Sequence, residues 1–185
     1  MNKKFGIKEV VATGIGTALF VVLTTVQIPI GIPNTYLQPR MAVMAFLSAI
    51  FGPIVGAIIG LVGHALGDAI FYGSIWWSWV IPDAIVGLLI GIFYKKYMVR
   101  EGEFEAQKII IFNVMQLIGN AVAWILLAPV LDILVYAEPK DKVFVQGIYA
   151  FLGNFIIIGA LGTILLIAYS KVAGRSKGLS KEDDE

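Results

Sequence analysis

Apolar residues in this chain do not alternate with polar ones. They gather in long runs, each closed by a short cluster of charged, glycine or proline residues. A bilayer core takes roughly 20 mostly apolar residues per helical span. By that measure the pattern predicts six spans, at about 9 to 28, 36 to 51, 53 to 72, 79 to 97, 108 to 135 and 144 to 171. Only the turn "FGP" at 51 to 53 separates the second from the third. The second span is short, so a helix that tilts, breaks or starts inside the "QPR" loop is expected there. The first run is too long for a cleaved signal peptide and has no small-residue cleavage site before a soluble chain, so it is expected to stay in the membrane.

Composition sharpens this picture. The 185 residues are 58% hydrophobic and 15% charged, with a mean hydropathy of +0.85. Soluble domains lie nearer half apolar and a quarter charged, so the expected fold is an all-α integral membrane protein, a compact bundle of six transmembrane helices. With no repeat and no soluble stretch, residues 1–185 form one transmembrane domain, with a short N-terminal segment (about 1–8) and a C-terminal tail (about 172–185) outside the spans. The absence of cysteine excludes disulfide scaffolds, thiolate metal sites and thiol nucleophiles.

Charge then orients the bundle, because cytoplasmic loops carry the excess of lysine and arginine. Eleven such residues fall on one side, among them Lys3, Lys4, Lys8, Lys95, Lys96 and Arg100, and three on the other: Arg40, Lys140 and Lys142. Both termini are therefore expected in the cytoplasm of a multi-pass cell-membrane protein. "QIPIGIPNTYLQPR" (27 to 40), "YGSIWWS" (72 to 78) and "YAEPKDKV" (136 to 143) are expected outside.

Two stripes of small residues point to close helix approach, which in lipid depends on small side chains about four apart. The first span offers Ala12 with Gly16 and, one face round, Gly14 with Ala18; the third offers Gly56, Gly60, Gly63 and Gly67. Either stripe serves internal packing or docks a separate membrane subunit.

Ionisable groups at membrane depth are expensive and face a bundle interior or cavity. His64 and Asp68, four apart, share a helix face. Asp83 enters the next span from the same side, with Trp76, Trp77 and Trp79 between them. Asn113, Gln116, Asn120 and Trp124 form one stripe on the fifth span, and Gln146, Tyr149 and Asn154 descend the sixth. Gln27, Asn34 and Tyr36 belong to the first outer loop, which three prolines keep stiff and non-helical. Arg40 could meet an anionic substituent of a ligand. Each has a plainer reading: the tryptophans as interfacial anchors, the His64–Asp68 pair as a helix-to-helix bond, Asn113 as structural, Asp132 and Gln146 as interfacial, Arg40 as a headgroup or helix-end contact. Their convergence on one half of the bundle favours a pocket with aromatic walls and a few polar groups, the usual form of a small-molecule site. Indole faces would stack on a planar heterocycle while His64, Asp68 and Asp83 read its hydroxyls and ring nitrogens.

Enzyme chemistry finds no support. There is no H-E-x-x-H helix, no G-x-S-x-G elbow and only one histidine, and no G-x-x-x-x-G-K-[ST] loop for ATP. Uphill transport would need another subunit or an ion gradient, and a proton relay through His64, Asp68 or Asp83 in a self-sufficient secondary transporter is the rival reading.

"FGIKEVVATGIGTALFVVLT", "GIPNTYLQPR" and "GPIVGAIIGLVGHALGDAIFYGSIWWSWVIPDAIVGLLIG" resemble a Gram-positive group of S components, the substrate-binding subunits of energy-coupling factor (ECF) type vitamin transporters. The resemblance covers nearly the whole chain. It implies capture of a vitamin or precursor outside, then association with a transmembrane coupling protein and two cytoplasmic ATPases, which use the ATP and magnesium; no cofactor is implied for this chain. The family's A-x-x-x-A coupling motif falls on Ala12 and Gly16, or on Gly14 and Ala18. "MNKK" lacks the N-terminal histidine of cobalt and nickel members, so the resemblance points to a hydroxymethylpyrimidine- or pyridoxine-like heterocycle.

Overall fold

The computed structural model describes residues 5–31 and 35–182. The chain is all-α apart from one small hairpin. Its helices are α1 (Ile7–Leu23), α2 (Arg40–Phe51), α3 (Pro53–Phe71), α4 (Trp77–Ile92), the single-turn α5 (Tyr94–Tyr97), α6 (Ala106–Tyr136) and α7 (Lys140–Ser176, its last turns running on to Glu182). Three of them, α3, α6 and α7, are long and apolar enough to cross a membrane, while α2 and α4 are apolar but shorter. At a rise of 1.5 Å per residue, the 12 residues of α2 reach only about 18 Å. Large apolar side chains such as Ile7 (84% exposed), Leu134 (75%) and Val172 (65%) cover the outside, as a lipid-facing surface requires. This is a membrane protein by its surface as well as its composition.

The "FGP" turn closes as its residues dictate. Gly52 takes φ +104°, which disfavours any side chain, and its N–H bonds the Ser48 carbonyl at 2.9 Å; Pro53 then opens α3 at the first helical position. The proline-rich 27–40 loop is non-helical and forms a short antiparallel hairpin, β1 (Ile28–Pro29) with β2 (Tyr36–Leu37). The fourth span starts two residues earlier than the pattern predicts and ends at Ile92, where α5 takes over.

Glycines set the closest packing. A Cβ on Gly56 or Gly87 would strike the other's backbone carbonyl, one on Gly60 would strike the Asp83 carbonyl, and one on Gly91 the backbone of Pro53. So α3 and α4 run antiparallel with their backbones in contact, and Ser48 Oγ donates to the Gly87 carbonyl at 2.5 Å. The same register continues to Asp68, whose Oδ2 accepts the Trp76 backbone N–H at 3.0 Å. Farther along α3, Gly63 meets Phe20 and Gly67 meets Thr24 of α1. The third-span stripe therefore packs internally against two different helices.

Each long helix contains one wide π-helical stretch: Ile59–Gly63 in α3, Ala121–Leu127 in α6 and Ile158–Gly162 in α7. Such stretches interrupt the regular bond ladder and are frequent at functional sites. Here the Phe155 carbonyl, just before the α7 stretch, accepts Gln116 Nε2 at 3.3 Å. The apolar core, with Phe20, Met41, Met44, Ile59, Val86, Phe112 and Ile158 fully buried, fills the bundle centre.

Candidate ligand-binding cavity

At the hairpin end the helices part around a cavity of about 310 Å³, at the small end of the range for ligand pockets. Every helix from α2 to α7 except α5 lines it, together with the hairpin and the 72–76 loop. Of the site residues the sequence suggests, Gln27, Tyr36, His64, Asp68, Trp76, Trp79, Asp83 and Gln146 line this one space. Asn34 lies outside the described residues.

Three do not line it. Trp77 is 46% exposed, and its backbone N–H bonds Tyr136 Oη at 3.0 Å. Tyr149 is 40% exposed on the outside of α7. Asn120 is fully buried and donates to the Gln116 carbonyl and Oε1 at 2.8 and 3.1 Å, a contact within the helix.

The polar wall is a chain of charged groups. His64 Nδ1 lies 2.7 Å from Asp83 Oδ2, and its Nε2 is 3.4 Å from both Asp68 Oδ1 and Arg40 Nη2. A neutral ring therefore accepts from the guanidinium at Nε2, and a protonated ring donates to Asp68 there. Arg40 is 4% exposed. Its Nη1 donates to Thr24 at 3.0 Å, its Nε to Gln38 at 2.6 Å, and its plane lies 4.7 Å from the Phe20 ring centroid. Asp83 sits directly after Pro82, which cannot donate to the helical ladder.

The aromatic wall is braced by Asp132. Its Oδ1 accepts Trp76 Nε1 at 2.8 Å and the Ser78 hydroxyl, and its Oδ2 accepts Trp79 Nε1 at 2.9 Å. Trp76 stacks on Tyr136 with centroids 4.1 Å apart, and Trp79 meets Trp124 edge-on at 5.2 Å. Gln27 of the hairpin strand side hydrogen-bonds the Tyr72 hydroxyl across the rim. Lys142 and Glu138 pair with each other at 2.6 Å.

Arg40, which the sequence suggests as a contact for an anionic substituent or a headgroup, lines the cavity, and so do Asp132 and Trp124, which sequence reasoning did not single out as site residues. For Asp132 the signal was a carboxylate inside an apolar run, with three indoles on the facing segment. Asp83 Oδ1 and Trp124 Nε1 are buried without a hydrogen-bond partner among the described residues. Among those residues no group of three or more acidic or histidine side chains is placed to hold a metal ion. The arrangement suits a flat ligand held by stacking and a few directed hydrogen bonds.

The two small-residue pairs on α1 occupy different surroundings. Ala12 and Gly16 are buried, and a Cβ on Gly16 would run into Ile59 and Leu47; Gly14 has open space around it and Ala18 is exposed.

Comparison with known proteins follows the same direction. The family described as "ECF-type riboflavin transporter, S component" matches residues 4–171. A UPF0397 protein of Exiguobacterium sp. (strain ATCC BAA-1283 / AT1b) is 49% identical over 179 residues, covering 96% of this chain and 98% of its own. One from Streptococcus gordonii is 48% identical over 178 residues (96% of each chain), and one from Enterococcus faecalis is 45% identical over 183 residues (98% and 100%). No solved structure matches significantly.

Proposed function

The chain belongs to the ECF-type riboflavin transporter S component family, and on that premise we propose that it is the substrate-specificity subunit of an ECF-type ABC transporter. It captures a small vitamin or vitamin precursor at the outer face of the bacterial cell membrane. A transmembrane coupling protein and two cytoplasmic ATPases then drive delivery inward, and hydrolysis of ATP with magnesium takes place on those partners. The six long apolar stretches each cross the bilayer, three of them as helices shorter than a full span. The hairpin end faces out and both termini face the cytoplasm, a reading supported by the eleven-to-three bias of lysine and arginine.

The observation that carries this reading is the single cavity walled on one side by indoles and on the other by charged and polar side chains. A single-ring hydroxylated heterocycle of the hydroxymethylpyrimidine or pyridoxine kind suits a space of about 310 Å³ lined by indoles. Riboflavin, which the family description names, is the larger candidate. For docking to the coupling protein, the exposed Gly14 and Ala18 face suits close helix approach better than the covered Gly16.

The His64–Asp83–Asp68 cluster is the observation that favours the second reading, a proton-coupled secondary transporter. Two measurements separate them. Mass spectrometry of small molecules copurifying with the protein, with quenching of tryptophan fluorescence by riboflavin, hydroxymethylpyrimidine, pyridoxine and thiamine, should reveal a bound vitamin. Silence across that panel and an empty preparation would overturn the capture reading. Uptake in liposomes should require the ATPase module, and uptake by this chain alone under a proton gradient would establish the rival.

A further inference from the structure

Away from the cavity, a groove of about 490 Å³ runs along the outside of the bundle. Its walls are a stripe of α1 from Ile7 to Leu19 and the side of α2 from Val43 to Phe51, and Tyr169 of α7 closes it by meeting Phe46 edge-on with centroids 5.9 Å apart. The α1 residues in the wall recur in steps of four, so they share one face. From Ile7 to Leu19 the helix rises about 18 Å. One leaflet's half of a bilayer core is about 15 Å deep, so the groove covers the depth of a single leaflet.

The end of the groove away from the hairpin is charged. Lys8 and Arg100 both line it there. Arg100 lies 5.6 Å from the Phe51 ring centroid and 3.9 Å from Glu9 Oε1, while Glu9 Oε2 accepts the Gly6 backbone N–H at 3.0 Å. Lys8 is exposed and pairs with no carboxylate among the described residues. Two cations thus face one carboxylate that is already engaged elsewhere, and Lys95 and Lys96 of α5 add positive charge on the segment leading to Arg100. An apolar trough of one-leaflet depth that ends in unneutralised cations is complementary to an acyl chain carrying an anionic headgroup. A membrane-spanning helix matches it less well. Such a helix is about 10 Å across, runs on past Leu19, and would need carboxylates of its own to cover Lys8 and Arg100.

We propose that this groove binds one anionic phospholipid, with an acyl chain along the α1 and α2 walls and the phosphate between Lys8 and Arg100. Basic pockets beside membrane helices take up acidic headgroups, and each cation near such a headgroup is worth about a fivefold preference. The site is separate from vitamin capture. Naming its leaflet cytoplasmic rests on the orientation proposed above, whereas binding itself does not.

The test is native mass spectrometry of the full chain in detergent, with dioleoylphosphatidylglycerol and dioleoylphosphatidylcholine supplied in equal amounts. One phosphatidylglycerol should stay bound per chain, at least fivefold in preference to phosphatidylcholine. Lys8→Gln with Arg100→Gln should bring that preference below twofold. Lys95→Gln with Lys96→Gln removes the same charge outside the groove and should leave the preference within twofold of the unmodified protein. Should the Arg100 change lower the Tm, Lys8→Gln alone, at an exposed position, should still reduce the preference about threefold or more. Glycerol 3-phosphate, which has the headgroup charge and no chain, should not displace the lipid at millimolar concentration. Equal retention of both lipids, an equal loss in the two double variants, or displacement by glycerol 3-phosphate overturns the proposal. Lipid-free dimers that disappear in the Lys8 and Arg100 variant would assign the groove to a second copy of the chain and overturn it as well. Binding is read in detergent, where no leaflet is defined, so a reversed orientation or a failure of vitamin capture leaves these outcomes unchanged.

Discussion

Asp132→Ala tests whether the aromatic wall is held from the α6 side. The substitution removes three hydrogen bonds at once, from the Trp76 and Trp79 indoles at 2.8 and 2.9 Å and from the Ser78 hydroxyl. Bonds to a charged acceptor contribute about 1.5–3 kcal/mol each in mutational series, but these three share one carboxylate and do not add. Trp76 is 37% exposed and can turn its N–H to water, whereas Ser78 is 1% exposed and cannot. Removal also ends the cost of burying the carboxylate, itself 3% exposed, which offsets part of the loss. The expected net destabilisation is about 2–4 kcal/mol, or an apparent Tm lowered by roughly 5–15 °C for a chain of this size. Thermal unfolding in detergent, followed by tryptophan emission, measures it. Asp132→Asn keeps one acceptor oxygen and should fall about halfway. If Asp132→Ala leaves Tm within 2 °C and the emission maximum unmoved, the brace is not holding the indoles, and the account of the wall fails.

The two faces of α1 should respond differently to bulk. Gly16→Leu meets Ile59 and Leu47 and should destabilise the bundle by about 1–3 kcal/mol through overpacking, lowering folded yield and Tm. Gly14→Leu has open space, so it should leave Tm and ligand affinity unchanged while abolishing uptake with the coupling module; normal uptake would remove that face from the interface. Gly60→Ala places a methyl 2.6 Å from the Asp83 carbonyl, and should weaken ligand binding more than fivefold along with a lowered Tm, whereas Gly73→Ala, at φ +74° on an open turn, should leave affinity within twofold.

Period and spacing carried much of this architecture. Apolar runs located the helices, although α1 and α4 stop short of the expected ends at 28 and 97, at Leu23 and Ile92, and α7 runs past 171 to Glu182; the four-residue step from His64 to Asp68 put both on the face that lines the cavity. What spacing could not supply is which of several chemically equal residues turns inward. Trp76 and Trp77 are adjacent indoles, and only tertiary contact with Asp132 separates the one lining the cavity from the one outside it. On α7 the inward face runs Gln146, Ala150, Asn154 in steps of four; choosing polar residues alone substitutes Tyr149 for Ala150 and leaves the face by a quarter-turn. Arg40 and Asp132 read as ordinary span-end charges until helices distant in sequence close over them. The π-helical stretches have no period of their own in the sequence, and the two-residue strands of the hairpin are too short for one.

The glycine contact between α3 and α4 has a consequence for how ligand choice can change. Gly56, Gly60, Gly87 and Gly91 leave no side chain between the two backbones, so there is no rotamer there to adjust and no volume to exchange. His64, Asp68 and Asp83 are carried on that pair of helices and inherit its fixed spacing. Trp76 and Trp79 start the same α4, but their indoles reach across to Asp132 and Trp124 of α6 through hydrogen bonds and a ring contact rather than through backbone contact. Specificity is therefore divided between a constant reading frame and an interchangeable one. Redesign toward a larger or smaller ring system should succeed through the indoles and fail through the glycines.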